Sequence, residues 1–259
     1  MRAMRCWIVL SLVCFFTASR SPAQTASDEK RAVSSDDTIA GNERVQAVFK
    51  TFQGRGVQAD DSKPTAPQDV LASFQLRDGL AIDLVAHEPQ VTQPLFLSWD
   101  SRGRMWVVQY RQYQYPAGLK VVRFDQYLRA VFDKTPEPPP RGTKGADVIT
   151  VFEDTNGDGR YDTSRDVITG LNIATAVQVG AGGIWVLNPP YLLFYPDADG
   201  DDVPDRDPEV RLSGFGLQDT HSVANSMMWG PDGWLYGANG STTAGTVSSD
   251  VSKGVSFEG

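Results

Sequence analysis

An all-β fold is predicted by three observations. From Phe74 onward, short apolar runs alternate with turn residues. One hairpin pattern recurs three times, and an Asp-rich loop that follows a strand occurs twice, at Asp154–Asp162 and Asp197–Asp205. The loops begin 43 positions apart, at 154 and 197. A unit of four short strands repeating at roughly 40–50 residues is how β-propeller blades recur. Two such units and the start of a third fall at about 81–170, 174–213 and 221–259. A closed propeller needs at least four blades. The expectation is therefore an incomplete β-propeller, the N-terminal blades of a longer protein, preceded by a signal peptide and a short helix.

The elements follow in order. Residues 1–23 read as an export signal: Arg2 and Arg5, the apolar run Trp7–Thr17, then the small residues Ser21 and Ala23. That run is too short to span a bilayer. The expected mature chain is exported, periplasmic or at the cell surface, with no transmembrane helix. Cys6 and Cys14, the only cysteines, lie in the signal. The mature chain then has no disulfide framework, thiolate metal site or Cys-x-x-Cys-His haem attachment. Residues 24–73 form a leader, polar and without periodicity as far as Thr38. A short helix follows, with Asn42 as cap and Val45, Val48, Phe49 and Phe52 at helical spacing. Gln68–Ser73 reads as one more helical turn.

Residues 74–259 hold the partial propeller. Ala81–Ala86 alternates at period two and reads as a strand. The recurring hairpins are Leu95–Trp99 with Met105–Val108, Ala176–Val179 with Ile184–Leu187, and Ser226–Trp229 with Trp234–Tyr236. Asp, Gly and Pro in the intervening residues supply the turns. Val148–Phe152 and Tyr191–Tyr195 are the strands that lead into the two Asp-rich loops. An insertion rich in Tyr and Pro, from about Tyr110 to Ala146, interrupts the first unit. It reads either as a surface loop or as one wall of an active-site cleft, since long loops in compact domains are often functional.

The net charge of -8, with Lys and Arg scattered, argues against a nucleic-acid partner. Eight of the 32 acidic residues stand in the two loops. In the first, Asp154, Asn156, Asp158 and Asp162 stand at positions 1, 3, 5 and 9, with Gly159 at position 6 and the Arg160 carbonyl at position 7. In the second, Asp197, Asp199, Asp201 and Asp205 repeat the pattern, with the Val203 carbonyl at position 7 and Asp202 in place of glycine. Calcium takes six to eight oxygen ligands, and this spacing offers them. The Glu at position 12 of an EF-hand is absent, and strands rather than helices precede the loops. The expectation is structural calcium on hairpins rather than a calcium sensor.

The chain has two histidines. His87 sits at a strand end and reads as structural. His221 lies in Asp219-Thr220-His221-Ser222-Val223-Ala224-Asn225, just before the third hairpin. It reads either as a hydrogen-bonded turn residue or as a base facing a central funnel, where a neutral imidazole accepts a hydroxyl proton while hydride leaves the same carbon. Asp219 or Asn225 would orient the ring.

Asp78–Pro89, Leu187–Pro196, Gly214–His221 and Trp229–Tyr236 resemble the propeller module of the "membrane-bound dehydrogenase" proteins of planctomycete and verrucomicrobial type. The resemblance runs from about Asn42 to Gly245. It implies helical repeats and a c-type cytochrome domain following the propeller. That family is distantly similar to quinoprotein glucose and sorbosone dehydrogenases. In those enzymes a His shortly before a Gly-Pro-Asp hairpin is the base beside pyrroloquinoline quinone. His221 and Gly230-Pro231-Asp232 match that arrangement with a spacing one residue longer. The resemblance implies a sugar or alcohol dehydrogenase with His221 as catalytic base. Its electrons would pass to a cytochrome-type acceptor whose haem c lies in a further domain. A non-catalytic, calcium-stabilised propeller that binds glycan or protein is the alternative, and a lactonase-type hydrolase with catalytic calcium ranks third.

Overall fold

The computed structural model describes residues 63–257. The expected signal peptide, leader and helix over Val45–Phe52 lie outside the described residues. The chain enters through helix α1 (Pro67–Ser73), which matches the expected helical turn; Pro67 opens it, where a missing N–H costs nothing. No described helix is long and apolar enough to cross a membrane. Among the described residues fourteen strands follow, all pairing antiparallel.

The first sheet has four strands in the order β1 (Pro94–Trp99), β2 (Met105–Gln109), β5 (Asp147–Glu153) and β6 (Thr163–Leu171). The second begins as a meander of β7 (Ala176–Val179), β8 (Gly183–Asn188), β9 (Tyr191–Pro196) and β10 (Glu209–Ser213). The third hairpin pairs β11 (Asn225–Trp229) with β12 (Leu235–Ala238). All three predicted hairpins are present, as are the strands ahead of both Asp-rich loops. None of the sheets closes on itself.

Two expectations are corrected. Ala81–Ala86 is not a strand: no neighbouring edge pairs with it, and period-two alternation alone does not create a ladder. The first sheet starts at Pro94 instead. The third unit also departs from a four-strand blade. β13 (Gly245–Ser249) pairs through Ser248 with Ser213 of β10, and β14 (Ser252–Phe257) pairs with β13. The second sheet thus grows to six strands. An edge strand presents unpaired N–H and C=O groups, and β13 covers that edge of β10 at Ser213.

The sheets stack face to face. Trp106, Val108, Ile149 and Ile168 of the first sheet meet Val177, Ile184, Val186 and Leu193 of the second in one buried layer. The opposite face of the second sheet, through Trp185, Leu187 and Phe194, packs on Ala224 and Met227 of the third unit. β2 and β8, with both faces covered, are buried throughout. That is why their sequences are continuous apolar runs rather than alternations.

The strands that open the three units, β1, β7 and β11, lie side by side. Side chains tie them to neighbouring backbone: Ser98 donates to the Val177 carbonyl (3.0 Å) and Gln178 to that of Met227 (2.8 Å). The Trp229 indole donates to the Val179 carbonyl (3.0 Å). Gly180 permits that approach, because a Cβ there would fall 2.8 Å from the indole nitrogen. Inside the insertion, β3 (Val121–Phe124) and β4 (Ala130–Phe132) form a separate hairpin.

Candidate functional site

His221 stands on the loop between β10 and β11, at a cavity of about 320 Å³. Leu95 and Phe96 of β1, Tyr110 and Tyr113 of the insertion, and Val223 and Asn225 contribute to its walls. The Asp219 carboxylate accepts the His221 backbone N–H at 3.0 Å and lies 3.3 Å from the ring Nδ1. A carboxylate can only accept, so Nδ1 carries the proton and Nε2 is left as an acceptor. Nε2 is 2.5 Å from the Tyr113 hydroxyl, which donates to it. The two rings meet edge-on, 5.4 Å between centroids. Tyr110 braces Tyr113 edge-on at 5.8 Å and donates its own hydroxyl to the Thr220 carbonyl at 3.2 Å. Burial alone would raise the Asp219 carboxyl. Hydrogen bonds from Thr242, the His221 N–H and the His221 ring outweigh it and hold the group below its ordinary value.

Of the two candidates to orient the ring, the structure selects Asp219. Asn225 donates to the Val223 carbonyl instead. His87 accepts no role here: its Nδ1 contacts the Glu88 carbonyl in an exposed turn. Tyr113 is the site residue that sequence reasoning did not single out. Its signal was the Tyr-rich start of the insertion, and the structure makes that segment a wall of the cavity.

The two Asp-rich loops have the same internal architecture. Asp154 accepts the backbone N–H groups of Gly157, Asp158 and Gly159, and Asp197 accepts those of Gly200, Asp201 and Asp202. Asn156 and Asp199 each accept the N–H two residues on. Asp158 and Asp201 accept from Arg160 and Val203. Each of these backbone N–H bonds recurs 43 positions later, whereas the Thr155 hydroxyl bonds to Asp162 have no counterpart at Ala198. Carboxylate oxygens of Asp197, Asp199 and Asp201 all lie within 4.8 Å of one another. Asp162 and Asp205 stand apart, each turned onto the N–H one residue past the loop's first Asp, Thr155 and Ala198. The Asp154 carboxyl is held below its ordinary value, chiefly by the Gly159 N–H, whereas burial raises that of Asp197.

Residues 66–259 match the model of a domain of unknown function, DUF7133. The chain belongs to the DUF7133 family. No curated protein and no solved structure matches it.

The second loop of the DUF7133 domain explains its own departure at position 6. Asp202 takes the left-handed conformation (φ 65°) that glycine would otherwise supply. Its carboxylate then turns away from the loop into a cluster of three arginines. Arg104 pairs with it out of solvent, and Arg102 (3.1 Å) and Arg165 (2.6 Å) reach it from the same sheet. Arg102 and Arg165 also donate to the Gly200 and Asp201 carbonyls. Asp100 holds the other side of Arg104 and accepts the Trp106 indole N–H. The expected role of this loop, holding its own hairpin, is therefore too narrow: it docks on the first sheet.

The DUF7133 cavity at His221 offers neither Lys nor Arg among its lining residues. A quinone bearing several carboxylates, as pyrroloquinoline quinone does, needs cations to offset them. The residues around this cavity do not fit that group.

Proposed function

We propose that the DUF7133 chain carries an acid–base centre for a hydroxylated small molecule of the sugar or alcohol class, in an exported module of β-propeller type. The observation that carries this reading is the Asp219–His221–Tyr113 array at the mouth of a cavity. A substrate hydroxyl that takes the place of the Tyr113 phenol at Nε2 gives up its proton to His221, and the Asp219 carboxylate offsets the imidazolium that forms. Once the imidazolium has passed that proton from Nε2 to solvent, the Tyr113 hydroxyl can donate to Nε2 again. Oxidation of the same carbon would also need an electron acceptor, a quinone or the haem of a cytochrome partner. The groups to hold a quinone are not supplied by this cavity, so no step is routed through one.

The test has two arms. A panel of aldoses, polyols and simple alcohols is titrated into the purified chain while the His221 ring and Tyr113 resonances are followed by NMR. Dye reduction is measured with added quinone and the same panel. The reading expects at least one sugar or alcohol to shift the His221 and Tyr113 signals together. It also expects His221→Ala to lower any dye reduction by roughly 10²–10⁴-fold, the usual worth of a general base. Silence in both arms would sink it. It would then favour a non-catalytic scaffold.

Structural calcium at both loops belongs to the same reading. It is supported by the convergence of Asp197, Asp199 and Asp201 and by the recurrence of the first loop's backbone N–H bonds in the second. Hard oxygen donors at this spacing suit calcium rather than zinc. Export is supported by the Arg2-to-Ala23 segment alone.

A further inference from the structure

Asp147 is a buried carboxylate that the acid–base centre does not use. It opens β5, where the insertion rejoins the first sheet, and it is fully enclosed. No Lys, Arg or His pairs with it among the described residues. An interior carboxylate without a cation is costly unless N–H groups satisfy it. Here they come from two separate segments. Oδ1 accepts the Gln112 N–H at 2.5 Å, from the start of the insertion. Oδ2 accepts the Ala174 N–H at 2.8 Å, from the connection between β6 and β7. Burial works against the charge, and the N–H groups of Gln112, Ala174, Ile173 and Arg111 work for it.

Each segment that Asp147 holds carries part of the His221 cavity. Tyr113 follows Gln112 and Thr175 follows Ala174, and both line that cavity. Ile173, also enclosed, packs with Tyr110 and Val223, two more of its walls. The Ile173 backbone is left-handed (φ 64°), a conformation that a β-branched residue takes only where its surroundings impose it. Further bonds join the same two segments. Gln112 Oε1 accepts the Ala146 N–H at 3.0 Å and closes the base of the insertion. Asn172 accepts the Ala117 N–H at 2.7 Å and donates from Nδ2 to the Ala117 carbonyl at 3.0 Å. Tyr113 belongs to a loop, and a loop residue keeps its hydrogen-bond geometry only when supporting contacts fix it.

We infer that Asp147 is the positioning residue of this centre: its two oxygens clamp the Tyr113 segment to the β6–β7 connection and so hold the Tyr113 phenol against His221 Nε2. That purpose rests on the acid–base reading, whereas the clamp itself is tested without substrate. Amide exchange on the full, ligand-free chain should find the Gln112 and Ala174 N–H groups protected, although neither lies in a strand. In Asp147→Asn the new amide nitrogen meets one of those N–H groups donor to donor. Protection of at least one should then be lost, together with the nuclear Overhauser contact between the Tyr113 and His221 rings. Asp202→Ala, which breaks a buried ion pair elsewhere, should keep that contact, so general destabilisation does not account for its loss. The clamp is overturned if either N–H exchanges freely in the parent, if the ring contact survives in Asp147→Asn, or if Asp202→Ala loses it equally. The parent measurement decides even where Asp147→Asn fails to fold. Silence of the sugar and alcohol panel would sink the acid–base reading and leave these outcomes standing.

Discussion

Asp202 is the residue on which most of the second loop's tertiary contacts depend. Its carboxylate and the Arg104 guanidinium are both buried, at 3% and 4% exposure. Removing one partner of a buried pair leaves the other charge uncompensated, which typically costs 3–5 kcal/mol. Asp202→Ala is expected to lower unfolding stability by about 3 kcal/mol, since Arg102 and Arg165 keep partial access to water. Urea unfolding checks this. Burial would raise the Asp202 carboxyl, but its arginines hold it below the ordinary value. Its contribution is therefore complete above about pH 4 and is lost as pH falls through the folded value. Asp147 has the opposite sign. It is fully buried, accepts the Gln112 and Ala174 N–H groups, and burial pushes it up to about 6. Its protonated form is favoured in the folded state, so stability falls as pH rises from about 4 to 6, by up to about 3 kcal/mol. In Asp147→Asn that fall should be missing from the pH dependence of unfolding. A sequence reading could locate the acidic positions but not tell these two carboxyls apart. The difference comes from arginines at positions 102, 104 and 165, which converge only after the sheets stack.

Hairpins were the most legible elements, because each combines an apolar run, a turn cluster and a second run within about a dozen residues. The β3–β4 hairpin was missed although its turn has a recognisable pattern. Asp125 accepts the N–H groups of Tyr127 and Arg129 and pairs with the Arg129 side chain, and Asp100 does the same for Arg102 and Arg104. An Asp followed four residues later by Arg, across a left-handed residue at Gly103 or Leu128, was the available signal. Ala81–Ala86 failed for the converse reason: its local pattern is right, but pairing is a property of the neighbour. The Asp-rich loops recur at their 43-residue offset, with Asp162 and Asp205 turned onto the Thr155 and Ala198 N–H groups. Their metal is testable at this scale. Calcium should raise the melting temperature of the parent chain by several degrees, and a chelator should reverse it. Asp199→Asn with Asp201→Asn should remove only part of the effect, because the first loop remains. A melting temperature indifferent to calcium would exclude the metal.

The described residues form a stack rather than a single ball. The second sheet is its middle layer, meeting the first sheet on one face and the third unit on the other. The outer ends are less covered: Leu97 and Trp99 of the first sheet and Met228 and Tyr236 of the third unit are all more than two-fifths exposed. Amide exchange should follow this order, slowest in β2, β5, β8 and β9 and fastest in β3, β4 and β12. Equal protection across all strands would refute the layered description. The stacking order could not be read from spacing, which finds repeated units but does not say where their last strands pair. β13, drawn to the edge of β10, is the clearest case. The ties from Ser98 to Val177 and from Gln178 to Met227 carry a further meaning. The middle layer is fastened to both outer ones, and the outer ones also touch directly, where Tyr110 donates to the Thr220 carbonyl and Arg129 to that of Thr242. A substitution such as Gly183→Val in the middle layer, whose Cβ would sit 2.2 Å from the Tyr195 carbonyl oxygen, strains both couplings together and leaves the outer layers only their direct contacts.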